Sequence, residues 1–184
     1  MYEVHGFAGL GYPFTAGGIR ALDRLIDDLP DKAESDAHPY WDADDIAREI
    51  IFRAERFEAK PVVCFFAHSW GVKTGLEACW RLHGAGLKVR YFAAIDPTAL
   101  PSGSPAMTCP PNVQQLDEFW SRFGLFNFPA WARRRDPLGG AGGMVRNPHG
   151  VAHTLFQVPA GHIATASHEI TRRRVVGQIS GIIE

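Results

Sequence analysis

No stretch of this 184-residue chain approaches the roughly 20 consecutive apolar residues of a membrane-spanning helix. The N-terminus, Met1-Tyr2-Glu3-Val4-His5, lacks a basic segment followed by an apolar run, so no secretory signal is expected. Cysteine is scarce, with Cys64, Cys79 and Cys109 alone. Their number is odd, and no Cys-x-x-Cys or Cys/His cluster has zinc spacing. Reduced thiols, a cytoplasmic setting and no bound metal are the expectations. Charge of one sign is also missing. Lys and Arg total 19 against 20 Asp and Glu, a formal net charge of −1. The whole chain therefore has no field that favours nucleic acid. The triplets Arg133-Arg134-Arg135 and Arg172-Arg173-Arg174 read as solvated faces. Internal repeats are absent. The early glycines (Gly6, Gly9, Gly11) do not spell G-x-G-x-x-G, and no P-loop lysine follows, which argues against a nucleotide cradle.

What is present is ordinary globular material, with 46% apolar and 21% charged residues. The length suits one domain, 1–184, that buries roughly 70% of its unfolded surface without staples.

The chain alternates short apolar runs with helical patterns. Met1–Phe7 is predicted to be a strand ending in a glycine-rich turn, His5-Gly6-Phe7-Ala8-Gly9. Thr15 is a cap candidate for a helix carrying Ile19, Leu22, Leu25, Ile26 and Leu29 at helical spacing. Ala33–His38 is a candidate short strand. Asp42 or Asp44 starts a second helix with an apolar stripe from Ile46 to Phe57. Val62–Phe66 is bulky and β-branched, as in a strand buried on both faces. A helix from Val72 to Leu82 follows, then a buried strand over Lys88–Ile95 that ends in Asp96-Pro97. Asn112–Arg122 has room for one more strand around Val113–Leu116. His153–Val158 reads as the last strand, and Ser167 as the cap of a final helix whose buried side is Ile170, Val175, Val176, Ile179 and Ile182. This order predicts an α/β fold: a mostly parallel sheet of five to six strands, with helices on both faces. Residues 101–150 differ in character. They hold many prolines, the run Gly139–Gly143 and an aromatic cluster, and are expected to form a cap or excursion near the site.

The most informative stretch is Ala67-His68-Ser69-Trp70-Gly71, at the predicted strand-to-helix turn. A serine between small residues there has the form of a nucleophile elbow. Bulky side chains two residues either side would collide with neighbouring backbone. The hydroxyl is exposed beside a helix N-terminus, where N–H groups favour negative charge. The plain alternative is a serine in an ordinary βα turn. The stretch resembles the elbow of the α/β-hydrolases, with Ala67 in place of the first glycine of G-x-S-x-G. His5-Gly6 resembles that family's oxyanion loop. The resemblance covers residues 2–100 and 153–183 in order of elements, and it implies a minimal, esterase-, lipase- or cutinase-like sheet. It says little about residues 101–150.

A serine hydroxyl is a weak nucleophile at neutral pH and needs a base held by a carboxylate. The family's chain order, Ser then acid then His, is met by Ser69, Asp96 and His162, each at a predicted strand end. The resemblance implies that Ser69 attacks, His162 moves the proton and Asp96 orients the imidazole. It also implies that the N–H groups of Phe7 and Trp70 hold the oxyanion. His153 and His168 compete as bases; Asp117, Glu118 and Asp136 compete as acids. Phe7, Trp70, Trp120, Phe123 and Trp131 are the candidate substrate contacts, and suggest an apolar acyl or aromatic group. The implied activity is hydrolysis of an ester, thioester or related acyl bond in a small molecule, with no cofactor. An acyltransferase on the same residues, or a non-catalytic binding member of the fold, are the alternatives.

Overall fold

The computed structural model describes residues 2–8, 16–29, 34–39, 41–57, 60–98, 107–123 and 145–184. In chain order they form β1 (Tyr2–Phe7), α1 (Gly17–Asp27), β2 (Glu34–His38), α2 (Ala43–Arg56), β3 (Val62–His68) and α3 (Gly71–Gly84). Then come β4 (Val89–Ile95), β5 (Gln115–Phe123), β6 (Ala152–Gly161) and α4 (Glu169–Ile183). The described strands make one sheet in the order β2-β1-β3-β4-β5-β6. Every pairing is parallel, so all carboxyl ends share one edge of the sheet.

Helices cover both faces, which explains why the central strands read as unbroken apolar runs. Ile19, Leu22 and Ile26 of α1, with Val175 and Ile179 of α4, pack on Cys64, Phe66, Tyr91 and Phe119. Ile46 and Ile50 of α2, with Leu76 and Leu82 of α3, pack on Phe7, Val63, Phe65, Phe92 and Leu116. Each such side chain contributes roughly 1.5–3 kcal/mol by leaving water. The chain steps outward from β1 to β2, then returns across β1 to β3 and continues to β6. The order therefore reverses between β1 and β3, the kind of crevice where ligands sit in open parallel sheets.

Several elements differ from the sequence reading. β1 ends at Phe7 as expected, but His5-Gly6 lies inside the strand and not in the turn after it. Gly6 is glycine for packing: a Cβ there would sit 2.6 Å from Cζ of Phe66. Val113 makes only an isolated bridge to Val89, and β5 begins at Gln115 and continues to Phe123. Phe119 is thus a core residue stacked on Phe156, at 4.9 Å between ring centroids. β6 extends past Val158 to Gly161, because Pro159 is tolerated on an edge strand. The cap of α4 is His168, whose ring accepts from Ile170 N–H at 3.2 Å, whereas the Ser167 hydroxyl donates to Ala164 O. Ile170 is 40% exposed, and Thr171 holds the buried position instead. Asp42 does precede α2, but its side chain makes no capping bond. Thr15, Trp131, Asp136, Arg133–Arg135 and Gly139–Gly143 lie outside the described residues. No helix among the described residues is long and apolar enough to cross a membrane.

Candidate active site

Ser69, Asp96 and His162 are each the first residue after a strand, following β3, β4 and β6. Parallel pairing puts all three on one edge. The ladder continues one step past the strand ends to fix two of them. Ser69 N–H donates to Ile95 O at 2.9 Å, and Asp96 N–H donates to Phe119 O at 2.6 Å. Ser69 (φ 58°) and Asp96 (φ 41°) are the only non-glycine residues at positive φ among the described residues. Such backbone costs roughly 1–3 kcal/mol per residue and tends to persist where a side chain must be aimed.

Gly71 shows why a small residue follows the serine. A Cβ at Gly71 would meet the main chain of Phe7 and lie 2.8 Å from Ala8 O. The start of α3 therefore passes directly over the end of β1. Trp70 is the residue before α3, so its N–H belongs to the positive end of that helix.

The three side chains form a hydrogen-bonded line. The Ser69 hydroxyl lies 2.9 Å from His162 Nε2, and His162 Nδ1 lies 2.5 Å from Asp96 Oδ2. All are buried, with His162 8% exposed, so water screens these contacts weakly. β5 lies between β4 and β6 and supplies a further residue that local pattern does not reveal. Ser121 donates to Asp96 twice, from its N–H to Oδ1 at 3.0 Å and from its hydroxyl to Oδ2 at 2.7 Å. Burial alone pushes the Asp96 carboxyl up, but hydrogen bonds from His162 and Ser121 outweigh it and hold the group below its ordinary range. The carboxylate stays ionised and keeps a proton on Nδ1, leaving Nε2 able to accept from the serine.

His68 sits beside this line. Its Nε2 is 2.9 Å from His162 O, and the two rings are 4.7 Å apart. Burial, with the His162 ring next to it, pushes His68 down to about 4, so it is neutral at neutral pH.

The competing residues are engaged elsewhere. His153 Nε2 lies 3.2 Å from Glu118, and His168 caps α4. Asp117 accepts from Arg174 Nε at 2.7 Å and from the Tyr91 hydroxyl at 3.1 Å. His5 Nδ1 faces His38 Nε2 at 3.1 Å, on the α2 side of β1. Of the expected substrate contacts, Phe7 differs: it is fully buried, and its ring lies 5.5 Å from that of Phe65. The alternation of β1 turns this side chain into the core. Its backbone pairs with His38 and Ala67 as part of the sheet. The next N–H, of Ala8, donates to His38 O. Trp70 and Trp120 are half-buried; the Phe123 side chain and Trp131 lie outside what is described. No group of three or more His, Cys, Asp or Glu among the described residues is placed to hold a metal ion.

No protein-family model matches the sequence. No curated protein sequence matches it either. Solved structures do. A protein of Xanthomonas campestris pv. campestris, assigned to the alpha/beta hydrolase superfamily, superposes with a TM-score of 0.56 at 11% identity, over 99% of this chain and 97% of that one. Human thioesterase 2 gives a TM-score of 0.54 at 10% identity, over 99% and 95%. A hyperthermophilic esterase from the archaeon Pyrobaculum calidifontis gives 0.58 at 12% identity, over 100% and 76%. Strand order, helix placement and these superpositions agree: the chain has the α/β-hydrolase fold.

Proposed function

We propose that this protein is a serine hydrolase that cleaves an ester or thioester of a small molecule through an acyl-serine intermediate. The observation that carries the reading is the continuous line from Ser69 Oγ to His162 Nε2, at 2.9 Å, and from His162 Nδ1 to Asp96 Oδ2, at 2.5 Å. In the first step Ser69 Oγ bonds to the carbonyl carbon while its proton passes to His162 Nε2. The carbonyl oxygen takes the negative charge, next to the N–H of Trp70 at the start of α3. Collapse breaks the acyl bond, and the leaving alcohol or thiol takes the proton from Nε2. Water repeats the sequence to free the acid and restore Ser69. Asp96 stays ionised, stabilises the imidazolium that forms on His162 in both steps and keeps the tautomer fixed. The resemblance of the fold to an esterase and a thioesterase supports this chemistry.

Hydrolysis of p-nitrophenyl acetate and butyrate tests the proposal. The parent chain is expected to turn both over, and Ser69→Ala and His162→Ala each to lose on the order of 10⁶-fold in kcat. Parental activity unchanged in Ser69→Ala would refute it.

A further inference from the structure

We infer that His68 is a positioning residue for His162, holding its main chain from one side while Asp96 holds its ring from the other. The inference rests on the assignment of His162 as the base.

His68 is the last residue of β3 and precedes Ser69 directly. Its side chain shares the face of Cys64 and Phe66, toward α1 and α4, and is 3% exposed. That face meets the turn Gly161–His168, which leaves β6 and enters α4. The His162 carbonyl lies in this turn, and its short partner is His68 Nε2 at 2.9 Å; the N–H of Thr165 approaches it only to 3.4 Å. A carbonyl only accepts, so His68 carries its proton on Nε2. The ring of His68 also lies against that of His162, tilted by 33° with centroids 4.7 Å apart.

These contacts restrain what Asp96 cannot. The hydrogen bond to Asp96 fixes Nδ1, but the ring can still swing about it if the main chain shifts. An N–H···O=C bond from the last residue of β3, which directly precedes Ser69, ties His162 to the serine's own framework. Displacement of a reacting group by about 1 Å can cost on the order of 100-fold in rate. The partner must be neutral, because His162 becomes positive during turnover and a second cation at this distance would oppose it. His68 meets that condition: among the described residues the titratable groups facing it are His162 and Asp96, and burial keeps it neutral.

The test compares His68→Phe, which keeps a ring but loses the donor, with His68→Gln, whose amide can reach the same carbonyl. The readouts are kcat and KM for p-nitrophenyl acetate, the rate of fluorophosphonate labelling, and the far-downfield proton resonance of the His162–Asp96 hydrogen bond. His68→Phe is expected to lose at least tenfold in kcat and labelling rate at unchanged KM, with that resonance shifted or broadened. His68→Gln is expected to recover most of both. If His68→Phe does not fold, His68→Asn replaces it: its shorter amide falls short of the carbonyl, so it should lag His68→Gln by the same margin. Equal rates and an unmoved resonance in the donorless variant overturn the inference. A parent that does not label at all counts instead against the role of Ser69, and the resonance still decides the role of His68.

Discussion

The Ser121 hydroxyl donates to Asp96 Oδ2 at 2.7 Å, on the same carboxylate oxygen that lies 2.5 Å from His162 Nδ1. β5 thus reaches between β4 and β6 and holds the carboxylate that the other two strand ends must share. Removing the hydroxyl leaves the Ser121 N–H on Oδ1, so the carboxylate is loosened and not released. Ser121→Ala is expected to lower kcat about tenfold at nearly constant KM, and to cost ~1.5–3 kcal/mol of stability, as for a hydrogen bond to a buried charge. Asp96→Asn should cost far more activity, on the order of 10⁴-fold, because the tautomer is then no longer dictated. Steady-state kinetics and urea unfolding of both variants check this. An unchanged kcat in Ser121→Ala would mean that its bonds serve folding alone.

Two glycines of α3 should respond in opposite ways to the same substitution. Gly71→Ala drives a methyl into the main chain of Phe7 and Ala8, which cannot step aside as a flexible side chain can. The helix must back away from β1, taking Trp70 and Ser69 with it. A loss of ~1–3 kcal/mol and a clear fall in kcat are expected. A Cβ at Gly84 meets nothing within 4 Å. Gly84→Ala should therefore stabilise the chain by ~0.5–1 kcal/mol without touching activity. Thermal midpoints and esterase rates measured together distinguish the two.

Acid should destabilise this protein well above the carboxylate range. Burial pushes His68 to about 4; burial and the neighbouring His5 do the same to His38. Both groups have an ordinary value near 6.5 in the unfolded chain. Between these values the unfolded state binds more protons, so stability is full above about pH 6.5 and falls as the pH drops toward 4. For the fully enclosed His68 the loss is on the order of 3 kcal/mol. Asp96, held below its ordinary range, adds a loss only as the pH falls below that range. The urea midpoint should decline steadily from pH 7 to pH 4.5, and less steeply in His68→Phe. A flat midpoint over that interval would contradict the neutral, buried state of these rings.

The parts of the fold that were legible are those in which one physical rule acts alone. β3 and β4 are buried on both faces, so Val62–Phe66 and Tyr91–Ile95 could hardly be anything but strands. The positions of Ser69, Asp96 and His162 followed from the strand ends, and the structure brings these side chains together. β5 was hidden beyond Leu116 because Asp117 and Glu118 interrupt its apolar pattern. Each is buried with a partner distant in sequence, Arg174 for Asp117 and His153 for Glu118, which no local window contains. Ser121 was invisible for the same reason, since its meaning depends on the register of β5 against Asp96. Gly6 was misread as a turn residue, because glycine required by a close neighbour and glycine required by a turn look alike in sequence. Of the aromatic cluster that begins near residue 119, Phe119 is one that belongs to the core, stacked on Phe156.

The central claim is that Ser69 is the nucleophile, and the most direct measurement is covalent labelling with a fluorophosphonate probe, followed by mass-spectrometric mapping of the modified residue. The expected result is stoichiometric modification of Ser69 in the parent chain, none in Ser69→Ala, and labelling slowed by orders of magnitude in His162→Ala. Modification of another residue, labelling that survives Ser69→Ala, or no labelling of the folded parent would contradict it.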